Sequence, residues 1–306
     1  MRLLTYKHDH VEAIGALGSG GRILPLASLS VSLLSPAQVE LLESRPTMLD
    51  IIRGGEPVFA ALREALGREH DQGIALLDMS EVELLAPIPR PPKIVAIGLN
   101  YMDHCRETGT QPPPRPLLFA KFPTSVTGHN ALIRWTDWAT KEVDYEAELA
   151  VIIGKTAKKV RAADAFDKIF GYTALNDVSA RDMQFGDKQW MRGKSLDTFC
   201  PMGPHLVTKD ELPEPNNLDI GCRLNGETVQ DSNTREMIFK VPDLIEYITQ
   251  NITLEPGDVI ATGTPSGVGF SRVPPVYLKH GDEVEVFIQG IGTLVNHVSV
   301  TAIGEP

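Results

Sequence analysis

Polar and apolar positions alternate along residues 143–148, V-D-Y-E-A-E, and the alternation then gives way to the unbroken apolar run 149–153 before Gly154. A period of two predicts a strand with Asp144, Glu146 and Glu148 on one face and Val143, Tyr145, Ala147 and Leu149 on the other. The run that follows predicts burial on both faces, which sets three carboxylates beside a dry core. Charge in such a place is costly unless a cation or hydrogen bonds balance it. The competing reading is an edge strand whose acidic face is solvated.

Upstream, short apolar stretches separated by a Gly-rich turn at 18–21 predict a β meander over residues 1–34. The period then becomes helical. Ser35 and Pro36 read as the N-cap and first position of one helix, with Val39, Leu41 and Leu42 as its apolar side. Gly54-Gly55 breaks a second segment, and residues 56–66 read as a third helix ended by Gly67. A strand near 82–85 precedes A-P-I-P-R-P-P at 86–92, a stiff linker where we place a domain boundary. Beyond it, residues 93–99 form a buried strand, and Asn100 caps a short helix with Asp103 as its capping-box partner. Gly109 and the prolines of 111–116 end that helix, and such hinges have the makings of a lid. Further strands are expected at 171–176 and 259–262, and a hairpin of 283–288 with 293–300 completes the sheet.

A chain of 306 residues is long enough for one large domain, or for a large and a small one. Its formal net charge of -11 argues against nucleic-acid and anionic-membrane partners, which call for a basic footprint. Any anionic substrate must therefore be drawn in by a local metal or by local Lys and Arg. Cys105, Cys200 and Cys222 lack the paired spacing of a zinc site and suit a reducing cytosol. No apolar run approaches the roughly 20 residues that span a bilayer, and the first nine residues resemble no targeting peptide. A cytoplasmic enzyme is expected.

Several residues carry candidate chemistry. His104 and Glu107 stand three apart on the short helix and share a face, so His104 can act as a general base on water, oriented by Glu107; an ordinary solvated pair is the alternative. Asp177, at the end of a strand, is a plausible third metal ligand beside Glu146 and Glu148. Arg181 and Gln184 can hold a substrate carboxylate if they share a helix face, although Arg181 can equally pair with Asp177 or Asp182. Lys194, in the turn G-K-S-L-D-T, is a charge partner for the carboxylates or an electrophile for a developing enolate, or simply an exposed lysine. The loop G-T-P-S-G-V-G at 263–269 lacks the ending of a phosphate loop, but its backbone N–H groups can bind a carboxylate. A cysteine nucleophile at Cys105 is disfavoured, because neighbouring helical residues point about 100° apart.

Taken together, Gly98-Leu99-Asn100-Tyr101 with His104 and Glu107, Glu146-Ala147-Glu148, Asn176 to Asp182, Gly193-Lys194-Ser195 and Thr262-Gly263-Thr264-Pro265 resemble the fumarylacetoacetate hydrolase family, in order and in spacing. The resemblance covers about residues 90–300. It implies an α+β protein: a mostly-β roll or distorted barrel over 93–306, with a small α/β domain over 1–86, assembled as a homodimer. It implies Mg or Mn, with Ca as a further option, held by Glu146, Glu148 and Asp177, and it brings Lys194 and Thr198 to the metal or substrate. Arg181, Gln184 and Thr264 fall on substrate-contact positions, and His104 with Glu107 on the lid dyad. Some isomerase-type members lack that dyad, so its presence favours bond cleavage. The reading is then a hydrolase of 2,4-dioxo acids such as fumarylpyruvate, acting through a metal-stabilised enolate. Oxaloacetate decarboxylation and tautomerisation of hydroxymuconate-type 2-oxo acids follow closely, because they use the same enolate.

Overall fold

The computed structural model describes residues 1–28, 46–67 and 75–302, so the helix read at Ser35-Pro36 lies outside the described residues. Strands β1 (Arg2–His8), β2 (Val11–Leu17) and β3 (Ile23–Pro25) form the expected antiparallel meander. The two helical segments expected on either side of Gly54-Gly55 are one element, α1 (Met48–Gly67). Gly55 kinks it with φ 63° and ψ -155°, a conformation open to a residue without Cβ. After the short β4 (Glu83–Leu84), which pairs with β1, the proline-rich stretch is packed: Ala86 and Ile88 are buried, and the Pro87 carbonyl accepts the Thr5 hydroxyl at 2.8 Å.

The chain continues through β5 (Ile94–Gly98), α2 (Met102–Thr108), β6 (Leu117–Lys121), β7 (Val126–Thr127) and β8 (Leu132–Thr136). The acidic segment follows as two strands, β9 (Val143–Asp144) and β10 (Ala147–Ile153), where the sequence predicts one. The break has a local cause. The Glu146 amide bonds to the Asn176 side chain at 3.0 Å, and the ladder with β11 begins only at Ala147, opposite Asn176. Next come β11 (Ile169–Asn176), β12 (Ser179–Ala180), α3 (Arg181–Asp187), α4 (Met191–Lys194) and β13 (Cys200–Thr208). The last third holds β14 (Asp219–Leu224), β15 (Glu227–Asn233), α5 (Val241–Thr249), β16 (Val259–Ala261), β17 (Glu283–Ile288) and β18 (Gly292–Thr301).

These strands make a mostly-β α+β fold, as expected. An 11-stranded sheet runs β3-β2-β1-β13-β11-β10-β16-β5-β6, with β4 and β7 attached at its side. The closing hairpin does not complete this sheet. β17 and β18 belong to a second, five-stranded sheet of order β15-β14-β17-β18-β8. The run 149–153 is fully buried between β11 and β16, which accounts for its lack of polar residues. One apolar cluster fills the space between the sheets, and a second joins Leu3, Leu24 and Ile51 to Ala96, Ala150 and Met202.

Candidate active site and metal centre

The start of β10 and the end of β11 converge on one buried spot. Glu146 precedes β10, Glu148 lies within it, and Asp177 follows its neighbour β11, its amide bonded to the Glu146 carbonyl at 2.9 Å. Carboxylate oxygens of the three lie within 4.8 Å of one another, and each residue is buried. Asp144, the third acid of the predicted acidic face, is not among them. The face divides at the break in the strand.

Three cations surround this cluster. The Lys194 ammonium donates to Glu146 Oε2 at 2.7 Å and to Asp177 Oδ2 at 2.9 Å. Arg181 Nη1 approaches Glu146 Oε1 at 2.6 Å and donates to Gln184 Oε1 at 2.9 Å. Lys121, which sequence reasoning missed, ends β6 with a buried ammonium that donates to Asp177 Oδ1 at 2.5 Å and to the Lys194 carbonyl. The signal was a lysine closing an otherwise apolar strand. Lys194, read as a residue of a turn, sits at the end of the one-turn helix α4 and is buried. Arg181 pairs with Asp144 and Glu146, and with neither Asp177 nor Asp182.

Ionisation follows from these neighbours. Burial pushes the Glu146 carboxyl up, but Lys194 and Arg181 more than offset it and hold the group at about 2. Burial also disfavours the Lys194 ammonium, yet Asp177 and Glu146 keep its pKa above the ordinary value. Glu148 is driven well above the usual carboxylate range, by burial first and then by Asp177 and Glu146. It accepts the Gly263 amide at 2.9 Å, and that contact does not relieve the crowding. A divalent cation among the three carboxylates would remove this repulsion, and a donor set made only of carboxylate oxygens suits Mg, Mn or Ca. The residues present therefore fit such an ion.

A cavity of about 290 Å³ opens from this spot. His104, Glu146, Arg181, Gln184, Lys194 and Thr264 all line it, which gathers most of the predicted site residues. Glu107 stands behind His104, with Oε2 3.2 Å from Nδ1. Burial raises the Glu107 pKa, but hydrogen bonds from His104, Ser271 and the Gly267 amide lower it further, so the net shift is downward. Thr264 Oγ1 accepts the amide of the buried Gln230 at 2.9 Å. Thr198 is not brought to the site, since its hydroxyl accepts the Arg134 amide at 2.8 Å. Cys105 is unsuited to nucleophilic chemistry, because burial and Asp103 raise its thiol pKa.

Two local readings are corrected. Asn100 does not cap α2, whose N-cap is Tyr101 with no side-chain bond. Asn100 instead donates to the carbonyls of Thr262 and Phe239, at 2.8 and 3.1 Å, and accepts the Phe239 amide. Asp103 Oδ2 reaches across to the hydroxyls of Ser232 and Ser266, at 2.5 and 3.3 Å, and so anchors the helix that carries His104. The glycine-rich loop binds the protein's own acids: the amides of Gly263, Gly267 and Gly269 donate to Glu148, Glu107 and Asp144. Gly267 has φ +100°, and a Cβ there would lie 2.1 Å from the Val229 carbonyl oxygen, so no other residue fits.

A mostly-β scaffold that presents a buried all-carboxylate cluster able to hold a cation, with a His-Glu pair at the same small cavity, is the arrangement of an enzyme site. The chain belongs to the fumarylacetoacetate hydrolase family: the Fumarylacetoacetate (FAA) hydrolase C-terminal family matches residues 93–299. It is 43% identical over 303 residues to the protein named "Oxaloacetate tautomerase Fahd2a, mitochondrial" of Rattus norvegicus, covering 97% of this chain and 91% of the relative. Among solved structures, a fumarylacetoacetate hydrolase from the psychrophile Exiguobacterium antarcticum superposes with a TM-score of 0.83 at 36% identity, over 98% of this chain and 100% of that one. The maleylpyruvate hydrolase of Sphingobium sp. SYK-6, solved with manganese(II) and pyruvate, gives 0.75 at 31% identity, over 98% and 99% of the two chains.

Proposed function

We propose that the protein is a divalent-metal-dependent tautomerase of small 2-oxo acids, with oxaloacetate as the first substrate to test. The observation that carries this reading is the placement of His104, backed by Glu107, in the same cavity as Glu146, Lys194 and Arg181. A Mg or Mn ion held by Glu146, Glu148 and Asp177 would supply Lewis acidity toward the oxygens of a 2-oxo acid. Arg181 and Gln184 receive a substrate carboxylate, and Thr264 borders the same space. Glu107 accepts from His104 Nδ1, which leaves Nε2 free to take a proton from C3 and return it to the C2 oxygen. Lys194 offsets the negative charge that develops on that oxygen.

The 43% identity to a protein named a tautomerase supports this reading over hydrolysis, which the sequence alone puts first. Hydrolysis of a 2,4-dioxo acid is the second reading, favoured by the same His104-Glu107 pair, which can equally deprotonate a water. Cys105, Cys200 and Cys222 are free and buried, in keeping with a reducing compartment, whether the cytoplasm or the organelle named for the rat relative.

Stopped-flow absorbance of the oxaloacetate enol, with Mn or with EDTA, tests the proposal, and pyruvate release from fumarylpyruvate tests the alternative. Chelation is expected to abolish activity. His104→Ala is expected to retain Mn affinity by calorimetry while losing about 10² to 10⁴ in rate. Undiminished turnover in EDTA, or in the His104 variant, would sink the reading.

A further inference from the structure

Asp144 has no task in the scheme above, although its sequence position places it beside Glu146. It is fully buried, and donors converge on both of its oxygens. Oδ1 accepts the amides of Tyr145 at 2.8 Å and Gly269 at 2.7 Å. Oδ2 accepts the Phe270 amide at 3.0 Å and Arg181 Nε at 2.9 Å. Arg181 Nη2 lies a further 2.8 Å from Oδ2, outside hydrogen-bond alignment. The guanidinium is thus gripped along one edge, and Nη1 is turned toward Gln184 and Glu146. Its face rests 4.5 Å over the ring of Phe270, whose own amide the same carboxylate holds. That ring stands edge-on to His104, with centroids 6.4 Å apart.

We propose that Asp144 is a positioning residue: one carboxylate fixes both the Arg181 cation and the Phe270 plate beneath it, and so sets the spacing between the group that receives a substrate carboxylate and the imidazole that moves the proton. The inference rests on the assignment of Arg181 to substrate made above. The chemistry requires an acid at this position. An amide has one acceptor oxygen, and its NH₂ would face either the guanidinium or the Gly269 N–H, donor against donor. Movement of the loop is itself opposed, because the Gly269 carbonyl accepts the amides of Val276 and Arg272 at 3.0 and 3.2 Å.

The test is a double-mutant cycle of Asp144→Asn and Arg181→Lys. Its readouts are oxaloacetate kinetics and calorimetry of Mn and of 3,3-difluorooxaloacetate, which has no C3 proton to lose. Asp144→Asn is expected to raise KM and the analogue Kd by about tenfold or more, the loss of a hydrogen bond to a charged group. Mn affinity should stay within about threefold while kcat falls as well, because the imidazole is no longer held at its distance from the bound carboxylate, whereas a general loosening of the fold would weaken Mn too. On the Arg181→Lys background the same change should cost less than about twofold, because the group it positions is gone. An analogue Kd near the parent value in Asp144→Asn, or an equal penalty on both backgrounds, overturns the proposal. If Asp144→Asn does not fold, Asp144→Glu decides, since it keeps the charge but displaces it: a raised Kd supports the inference and an unchanged one refutes it. A parent that binds the analogue but does not turn over oxaloacetate defeats only the tautomerase reading, and the Kd values then judge Asp144 alone. A parent that does not bind the analogue defeats both.

Discussion

Burial is the chief cause that fixes the charge of His205, a residue that does not line the cavity. The ring lies within β13, Nε2 has no hydrogen-bond partner among the described residues, and burial, with Arg2 and His129 adding nearby positive charge, lowers its pKa to about 4. The unfolded chain therefore binds a proton below about pH 6.5 that the folded chain refuses until about pH 4. The sign follows: the contribution is present above pH 6.5 and is lost as the pH falls through this window. Between pH 7 and pH 5 it should remove about 2 kcal/mol, with no further loss from this group below its folded pKa. Urea unfolding of the parent and of His205→Leu at both pH values checks this. The parent's loss should exceed the variant's by that amount, and parallel losses would refute the assignment. Sequence offered no hint here, because nothing in the local pattern marks a lone histidine as buried.

Elements were easier to read than the contacts between them. The strands around the site are legible because β10, β11 and β16 are apolar on both faces, and the C-terminal end of α2 because Gly109 takes the left-handed C-cap, φ 64°. The role of Asp103 was misread because a capping box and a tertiary anchor place the same residue type at the same position, and only the approach of Ser232 and Ser266 tells them apart. That anchor, with the bond from the Gly267 amide to Glu107 at 2.9 Å, is what seats the dyad helix. Replacing both serines by alanine should leave Mn affinity unchanged and weaken the seating by about 1 kcal/mol per bond lost. Hydrogen–deuterium exchange of residues 102–110 should then speed up about tenfold or more, while β10 stays as protected as before. Equal protection in parent and variant would mean that α2 is held by packing alone.

At the scale of the molecule, the family match begins at residue 93, and the proline-rich stretch before it reads as a boundary. The physical unit extends further. β1 pairs with β13, Leu3 opposite Leu206, so the first strand is an internal member of the main sheet. Met48 and Ile51 of α1 share an apolar cluster with Ala150 and Met202, and the Phe59 ring meets that of Phe170 at a 53° tilt with centroids 4.6 Å apart. None of this was legible in the sequence, because strand pairing across some 200 residues leaves no local periodicity. Each fully buried Leu, Ile, Met or Phe at this boundary contributes about 1.5–3 kcal/mol, so the handful from residues 1–67 approaches the 5–15 kcal/mol that a whole domain holds in reserve. A fragment of residues 93–306 would therefore expose both an unpaired strand edge at β13 and the apolar face beside it. We expect it to aggregate or to stay molten, although it carries every residue of the candidate site. The full chain should unfold in a single calorimetric transition, with van't Hoff and calorimetric enthalpies in agreement. A soluble fragment with sharp near-ultraviolet dichroism and intact Mn binding would show instead that the first 67 residues only decorate a self-sufficient catalytic unit.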